Sequence, residues 1–248
     1  MSDLVTRKDS RPDQPHRPDV STVMNTALAP FRLHNEWSKP IGIAWNAYDL
    51  VARDRDGELV ALKHAADQPQ RWQLHCRAYS LLEELPTQDQ IVAAYEALRV
   101  AIMTEPTVKQ KQLLLGLLLD GCSIKAGPDI DKYIQLLTWM LGDCPPSEAE
   151  RRGHPTPPRW IPLAAIAKAI KHVLATRRND DGRPVPIAEF LDECCNNRRK
   201  LISARSDIRQ VGLTHQRLTE IVKATEDSYP DDDWLDGGKP QEGSKSKP

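Results

Sequence analysis

The chain has 248 residues, 40% of them apolar and only 5% aromatic, with 34 Lys and Arg against 35 Asp and Glu for a net charge of −1. That length holds one core domain with extensions or two small ones, and aliphatic side chains must fill most of the core. No apolar run reaches membrane length, and Met1-Ser2-Asp3-Leu4 does not open a secretory signal, so the sequence argues against membrane and secreted classes.

Residues 1–35, with Pro12, Pro15 and Pro18 among polar neighbours, read as a disordered arm. Residues 36–66 read as an irregular segment or a small β-hairpin. Ile41, Ile43 and Trp45 alternate there, and two apolar pairs, Leu50-Val51 and Leu59-Val60, flank the turn-like Asp54-Arg55-Asp56-Gly57. Residues 67–224 read as a helical domain. Trp72, Cys76, Tyr79 and Leu82 recur at about helical spacing, and Pro86 closes that helix. Thr87 and Gln90 make a capping box ahead of Ile91, Ala94, Tyr95, Leu98 and Ile102. Pro106-Thr107 opens a helix that is apolar all round from Leu113 to Leu119, which places it centrally.

After Gly127-Pro128, the residues Ile130, Tyr133, Ile134, Leu137, Met140 and Leu141 form an amphipathic stripe. Residues 145–160, with five prolines and Arg151-Arg152, read as a long internal loop. Leu163, Ile166, Ala167, Ile170 and Leu174 mark the next helix. Beyond Pro186, Ile187, Cys194, Leu201 and Ile208 repeat every seven residues, interleaved with Phe190, Asn197, Ala204 and Val211. That seam suits a helix packed on its own bundle, and it also offers a homodimer through residues 187–211. Gly212 is expected to break the helix and Thr214 to cap a last one. Residues 225–248 read as an acidic and then low-complexity disordered tail. The fold class is therefore all-α: a bundle of six or seven helices with disordered termini and a small β-hairpin near the N-terminus.

Charge is unevenly placed. Arg151 to Lys223 carries 15 Lys and Arg against 7 Asp and Glu, and Glu226 to Asp236 carries six acids and no base. The basic block suits a nucleic-acid or acidic-protein partner, or a merely solvated helical surface. Arg198, Arg199, Lys200, Arg205, Arg209 and Lys223 are candidate phosphate contacts, with Arg177, Arg178 and Arg183 extending them. No aromatics interleave to stack bases. Val211-Gly212-Leu213-Thr214, with Leu218 and Ile221, carries the turn glycine and apolar flanks of a helix-turn-helix. In that reading His215, Gln216, Arg217 and Thr219 face the groove. Asp207 and Ile208 depart from the pattern, and a kink between packed helices fits the same residues. In the tail, Tyr229, Asp231, Asp232, Asp233, Trp234 and Leu235 form a candidate docking motif, with apolar anchors set among steering acids.

Catalytic signatures are missing. The glycines at 238 and 243 do not make a P-loop, because Ser244 stands where its lysine belongs. No nucleophile elbow, zinc-protease motif or dinucleotide fingerprint occurs. No cofactor or metal is expected, and the chain reads as a non-enzyme. Five cysteines without a Cys-x-x-Cys pair read as reduced thiols of a cytoplasmic protein. Cys194 and Cys195 on one helix would point about 100° apart, and so would pack rather than join each other.

Residues 91–204 resemble the small helical phage replication proteins, the replisome organisers and helicase loader-inhibitors. The resemblance lies in the leucine-rich helix Leu113–Leu119, Asp131-Lys132-Tyr133 with Leu137, the turn at Pro145, the Ala165–Ile170 helix with His172 and Arg177, and Pro186-Ile187-Ala188-Glu189-Phe190-Leu191. Residues 146–160 form an extra loop relative to that pattern. The resemblance implies a phage or prophage DNA-replication accessory protein that binds a replicative helicase or an initiator without hydrolysing ATP, with DNA as a further candidate partner. The alternatives are a helix-turn-helix transcriptional regulator and a host-interaction protein with no nucleic-acid role.

Overall fold

The computed structural model describes residues 20–122, 124, 128–148, 151, 158–176 and 184–228. Ten α-helices follow in order among these residues: α1 (Val20–Glu36), α2 (Ser38–Asn46), α3 (Tyr48–Val51), α4 (Val60–His64), α5 (Gln68–Glu84), α6 (Gln88–Met103), α7 (Val108–Gly121), α8 (Pro128–Gly142), α9 (Leu163–Thr176) and α10 (Ile187–Ala224). A 3₁₀ turn, Glu226–Ser228, closes the described chain. The all-α expectation holds, with more helices than the six or seven expected.

Local signals start several of these helices. The Thr87 hydroxyl accepts from the Gln90 N–H while the Gln90 side chain accepts from the Thr87 N–H at 2.9 Å. Thr107 and Gln110 repeat the device at α7. The Asp67 carboxylate accepts from the Gln70 N–H at 2.8 Å and starts α5. Each box satisfies N–H groups that the first turn of a helix leaves without partners.

Helix α10 is the spine. Its 38 residues span about 57 Å at about 1.5 Å per residue. Two cores form along it. The first gathers α1, α7, α8 and α9 around Phe190, Cys194, Leu201 and Ile202. The second gathers α2 to α6 around Ala204, Ile208, Val211, Leu218 and Ile221. The heptad residues Phe190, Cys194, Asn197, Leu201, Ala204, Ile208 and Val211 are all buried within this single chain. The chain's own helices therefore fill the heptad seam, residues 187–211, through which a homodimer was expected. The bundle alternative is the one observed.

Three further expectations are corrected. Residues 20–35 of the arm lie in α1, whose Ala27 and Leu28, with Val23, Met24 and Phe31 beside them, join the first core. The helix runs through Pro30. Residues 1–19 lie outside the described residues. No β-hairpin forms: Arg53 and Leu59 make an isolated antiparallel bridge around the Asp54–Gly57 turn, and no strand occurs among the described residues. The buried positions Trp37, Ala44, Ala47, Leu50 and Val51 follow a helical period in which two inward residues are alanine. The alternation of large residues at 41, 43 and 45 hid that period.

Finally, α10 does not break at Gly212. A Cβ there would come 3.2 Å from Cγ2 of Ile91, so the glycine serves close packing of α6 on α10 rather than a turn. Thr214 lies buried inside the helix instead of capping a new one. The turn required by a helix-turn-helix is thus absent from this segment.

Candidate interaction surfaces

The basic run on α10 divides by direction. Each helical step turns about 100°, so Arg198 faces inward while Arg199 and Lys200 face solvent. Arg198 is fully buried and is not a DNA contact. Its guanidinium donates to the carbonyl of Cys144 at 2.7 Å and approaches those of Trp160, Pro158 and Pro145 at 3.4 to 3.5 Å. The planar fork of five N–H donors suits such a cluster of carbonyls, which a lysine could not span in one plane.

These carbonyls belong to the two ends of the chain joining α8 to α9. The ends are also stitched to each other. The Cys144 N–H donates to the Arg159 carbonyl at 2.7 Å, and the Ile161 N–H donates to the Leu141 carbonyl at 2.9 Å. An Arg159–Asp143 ion pair at 2.8 Å closes the same base. The loop expected at 145–160 therefore has a fixed neck with Arg198 beneath it. Residues 149–150 and 152–157 lie outside the described residues.

Of the remaining basic candidates, Arg199, Lys200, Arg209 and Lys223 are exposed, as is Gln216. Arg205 is half-buried and sits over the Tyr95 ring, 5.6 Å from its centre. Arg217 donates to the Val51 carbonyl at 3.0 Å, which fixes α3 to the spine. His215 is half-buried, and burial lowers its pKa from the ordinary imidazole value. Acids interrupt the face. Asp207 pairs with His34 at 3.4 Å, and Glu220 pairs with Arg53. The exposed cations are spread around the helix rather than set in one row. Arg177, Arg178, Arg183 and the whole tail motif from Tyr229 to Leu235 lie outside the described residues.

The structure adds a surface that the sequence reading passed over. Helix α8 buries Leu137 and Leu141 and half-buries Tyr133, Ile134 and Met140, following the predicted stripe. The hydroxyl of Tyr133 donates to the Val185 carbonyl at 2.7 Å and holds α8 to the start of α10. Leu136 and Trp139 fall off that stripe, one turn apart, and are 45% and 67% exposed. The signal was present in the sequence: two large apolar residues at i and i+3 on the face that the amphipathic period assigns to solvent. Trp45 and Tyr48, from α2 and α3, are exposed in the same way.

No group of three or more His, Cys, Asp or Glu side chains among the described residues is placed to hold a metal ion. No described helix is long and apolar enough to cross a membrane. No protein-family model, curated protein or solved structure matches the chain.

Proposed function

We propose that this chain is a non-enzymatic helical adaptor, a phage or prophage replication accessory protein that binds a replicative helicase or initiator. The partner class comes from the resemblance of residues 91–204. The observation that carries the binding role is Trp139, two-thirds exposed beside Leu136 on the outer face of α8. Tryptophan is enriched among the few residues that dominate protein interfaces, because its large ring gains most when a partner removes it from water. Trp139 lies three residues before Gly142, where the pinned neck of the loop begins, so the surface has a rigid support.

The test is capture of a purified replicative helicase or initiator from the same host by the full chain, after nuclease treatment. Trp139→Ala with Leu136→Ala should weaken capture by about tenfold or more, as expected for a central aromatic anchor. Trp234→Ala with Leu235→Ala measures the tail separately. Retained capture in the α8 double variant would remove α8 from the interface, and no capture by the intact chain would remove the replication reading.

A second activity, weak DNA contact, is favoured by the exposed cations Arg199, Lys200, Arg209 and Lys223. Phosphate contacts release counterions, so affinity would fall steeply with salt. Arg199→Ala with Lys200→Ala would then flatten the slope of log affinity against log salt by about one to two. An unchanged slope would leave these residues as solvated surface.

A further inference from the structure

The sulfur of Cys144 lies 3.4 Å from that of Cys195, although 51 positions separate them in the chain. Both residues are half-buried rather than enclosed. The neighbouring Cys194 differs. It is enclosed in the first core, and burial pushes its thiol pKa well above the ordinary value. The 100° step along α10 separates these roles, with Cys194 turned into the core and Cys195 turned toward the loop neck.

Cys144 lies outside any helix, in the chain that leaves α8. Its backbone is held on both sides: its N–H donates to Arg159, and its carbonyl accepts from Arg198. Its side chain is therefore presented to Cys195 by a fixed backbone. A disulfide needs about 2.05 Å between the sulfurs. The remaining approach of a little over ~1 Å is within reach of side-chain rotation at a non-helical residue, without displacement of α10.

We propose that Cys144 and Cys195 form an oxidisable dithiol, a site at which a hydroperoxide makes an intramolecular disulfide. One thiolate attacks a peroxide oxygen. The O–O bond breaks, a sulfenic acid forms, and the other oxygen leaves as water or an alcohol. The second thiol then attacks the sulfenic sulfur, forming the S–S bond and releasing water. With hydrogen peroxide, two thiols and one peroxide give one disulfide and two waters, and two electrons pass from sulfur to the O–O bond. The 3.4 Å separation favours this pairing over further oxidation, because the second thiol is already beside the first. The bond would tie the α8–α9 connection to α10 covalently at the place where Arg198 now ties it by hydrogen bonds.

The experiment uses the full reduced chain, treated with a small excess of hydrogen peroxide, alkylated and digested without reductant for mass spectrometry. The expected product is a linked pair of peptides holding Cys144 and Cys195, two hydrogens lighter than their sum and separated by dithiothreitol. Cys194→Ala should keep the link, and Cys144→Ser and Cys195→Ser should each lose it. The oxidised wild type should melt several degrees above the reduced form, in keeping with closure of a long loop, and Cys195→Ser should show no such rise. Wild-type protein treated first with limiting N-ethylmaleimide gives the same test without a variant: chains carrying one label at either residue should not cross-link. A link through Cys194, a link between chains, or sulfinic acid without any link would overturn the proposal.

Discussion

Arg198 holds the neck of the 145–160 loop from beneath, its guanidinium buried against the Cys144 carbonyl. In Arg198-Arg199-Lys200 all three charges look alike, because composition records charge and not direction. The structure places the first under the neck of the 145–160 loop and the other two in solvent. Removing the buried guanidinium strips charged donors from the carbonyls of the loop neck and leaves a void, so Arg198→Met should lower stability by about 2–4 kcal/mol. Arg199→Ala should change it by less than about 0.5 kcal/mol. Urea denaturation of the two variants checks the contrast, and equal effects would mean that the clamp does not hold the loop. His215 gives a second test at this scale. Its folded pKa is lowered by burial, so as pH falls the unfolded chain takes up the proton first. Its contribution is complete above the unfolded value of about 6.5 and is lost as pH falls through the lower folded value. His215→Gln should flatten the loss of stability in that window, as followed by thermal melts across pH.

At the scale of elements, the helices that were legible announce themselves twice, by a cap and by a period. α6 has its capping box and a buried face of Ile91, Ala94, Leu98 and Ile102 where the spacing places it. The α8 stripe and the alanine-rich α9 were equally plain. α1 to α3 were not legible, because Ala27, Ala44 and Ala47 point inward and carry little apolar signal, and because Pro30 sits inside a helix. Gly212 was misread for a related reason: a glycine that breaks a helix and one that admits a neighbour look the same until Ile91 is seen against it. Substitution separates the two roles. Gly57 has φ of +85° in the Asp54 turn, so Gly57→Ala should destabilise by about 1–2 kcal/mol. Gly212 is helical, and Gly212→Ala should cost under about 1 kcal/mol, since gained helix propensity offsets a contact that needs a shift of only a few tenths of an ångström. Gly212→Leu should overpack against α6 and destabilise by about 1–3 kcal/mol with helix content unchanged. Circular dichroism with urea titration reads both quantities. A larger penalty for Gly212→Ala than for Gly57→Ala would mean that Ile91 cannot yield to a Cβ at that position.

At the scale of the molecule, the described residues form two helical cores strung on one helix, and this arrangement decides what the sequence could reveal about its surfaces. A long heptad seam states that α10 is buried along its length, but it does not say whether the cover comes from a second copy or from the same chain. The outer face of α8 needed the fold before Trp139 stood out, because a tryptophan counts as core until its helix is oriented. The shared spine also predicts how the protein unfolds. Leu118 lies in the first core and Leu98 in the second, and both are fully buried. Leu118→Ala and Leu98→Ala should each cost about 2–5 kcal/mol, the range for a leucine removed from a packed interior. If each core stood alone, each variant would lower one of two transitions and leave the other in place. α10 contributes buried residues to both cores without a break, from Phe190 to Ile221. Loss of either core strips the packing that holds half of this helix, and a helix so exposed is marginal in water. Both variants should therefore shift one common transition, followed by far-ultraviolet circular dichroism and by tryptophan fluorescence. Coincident curves support the continuous spine. A separate early transition in either variant would place a hinge within α10, and the junction between Ile202 and Ala204, where the two cores meet, is where it would be sought.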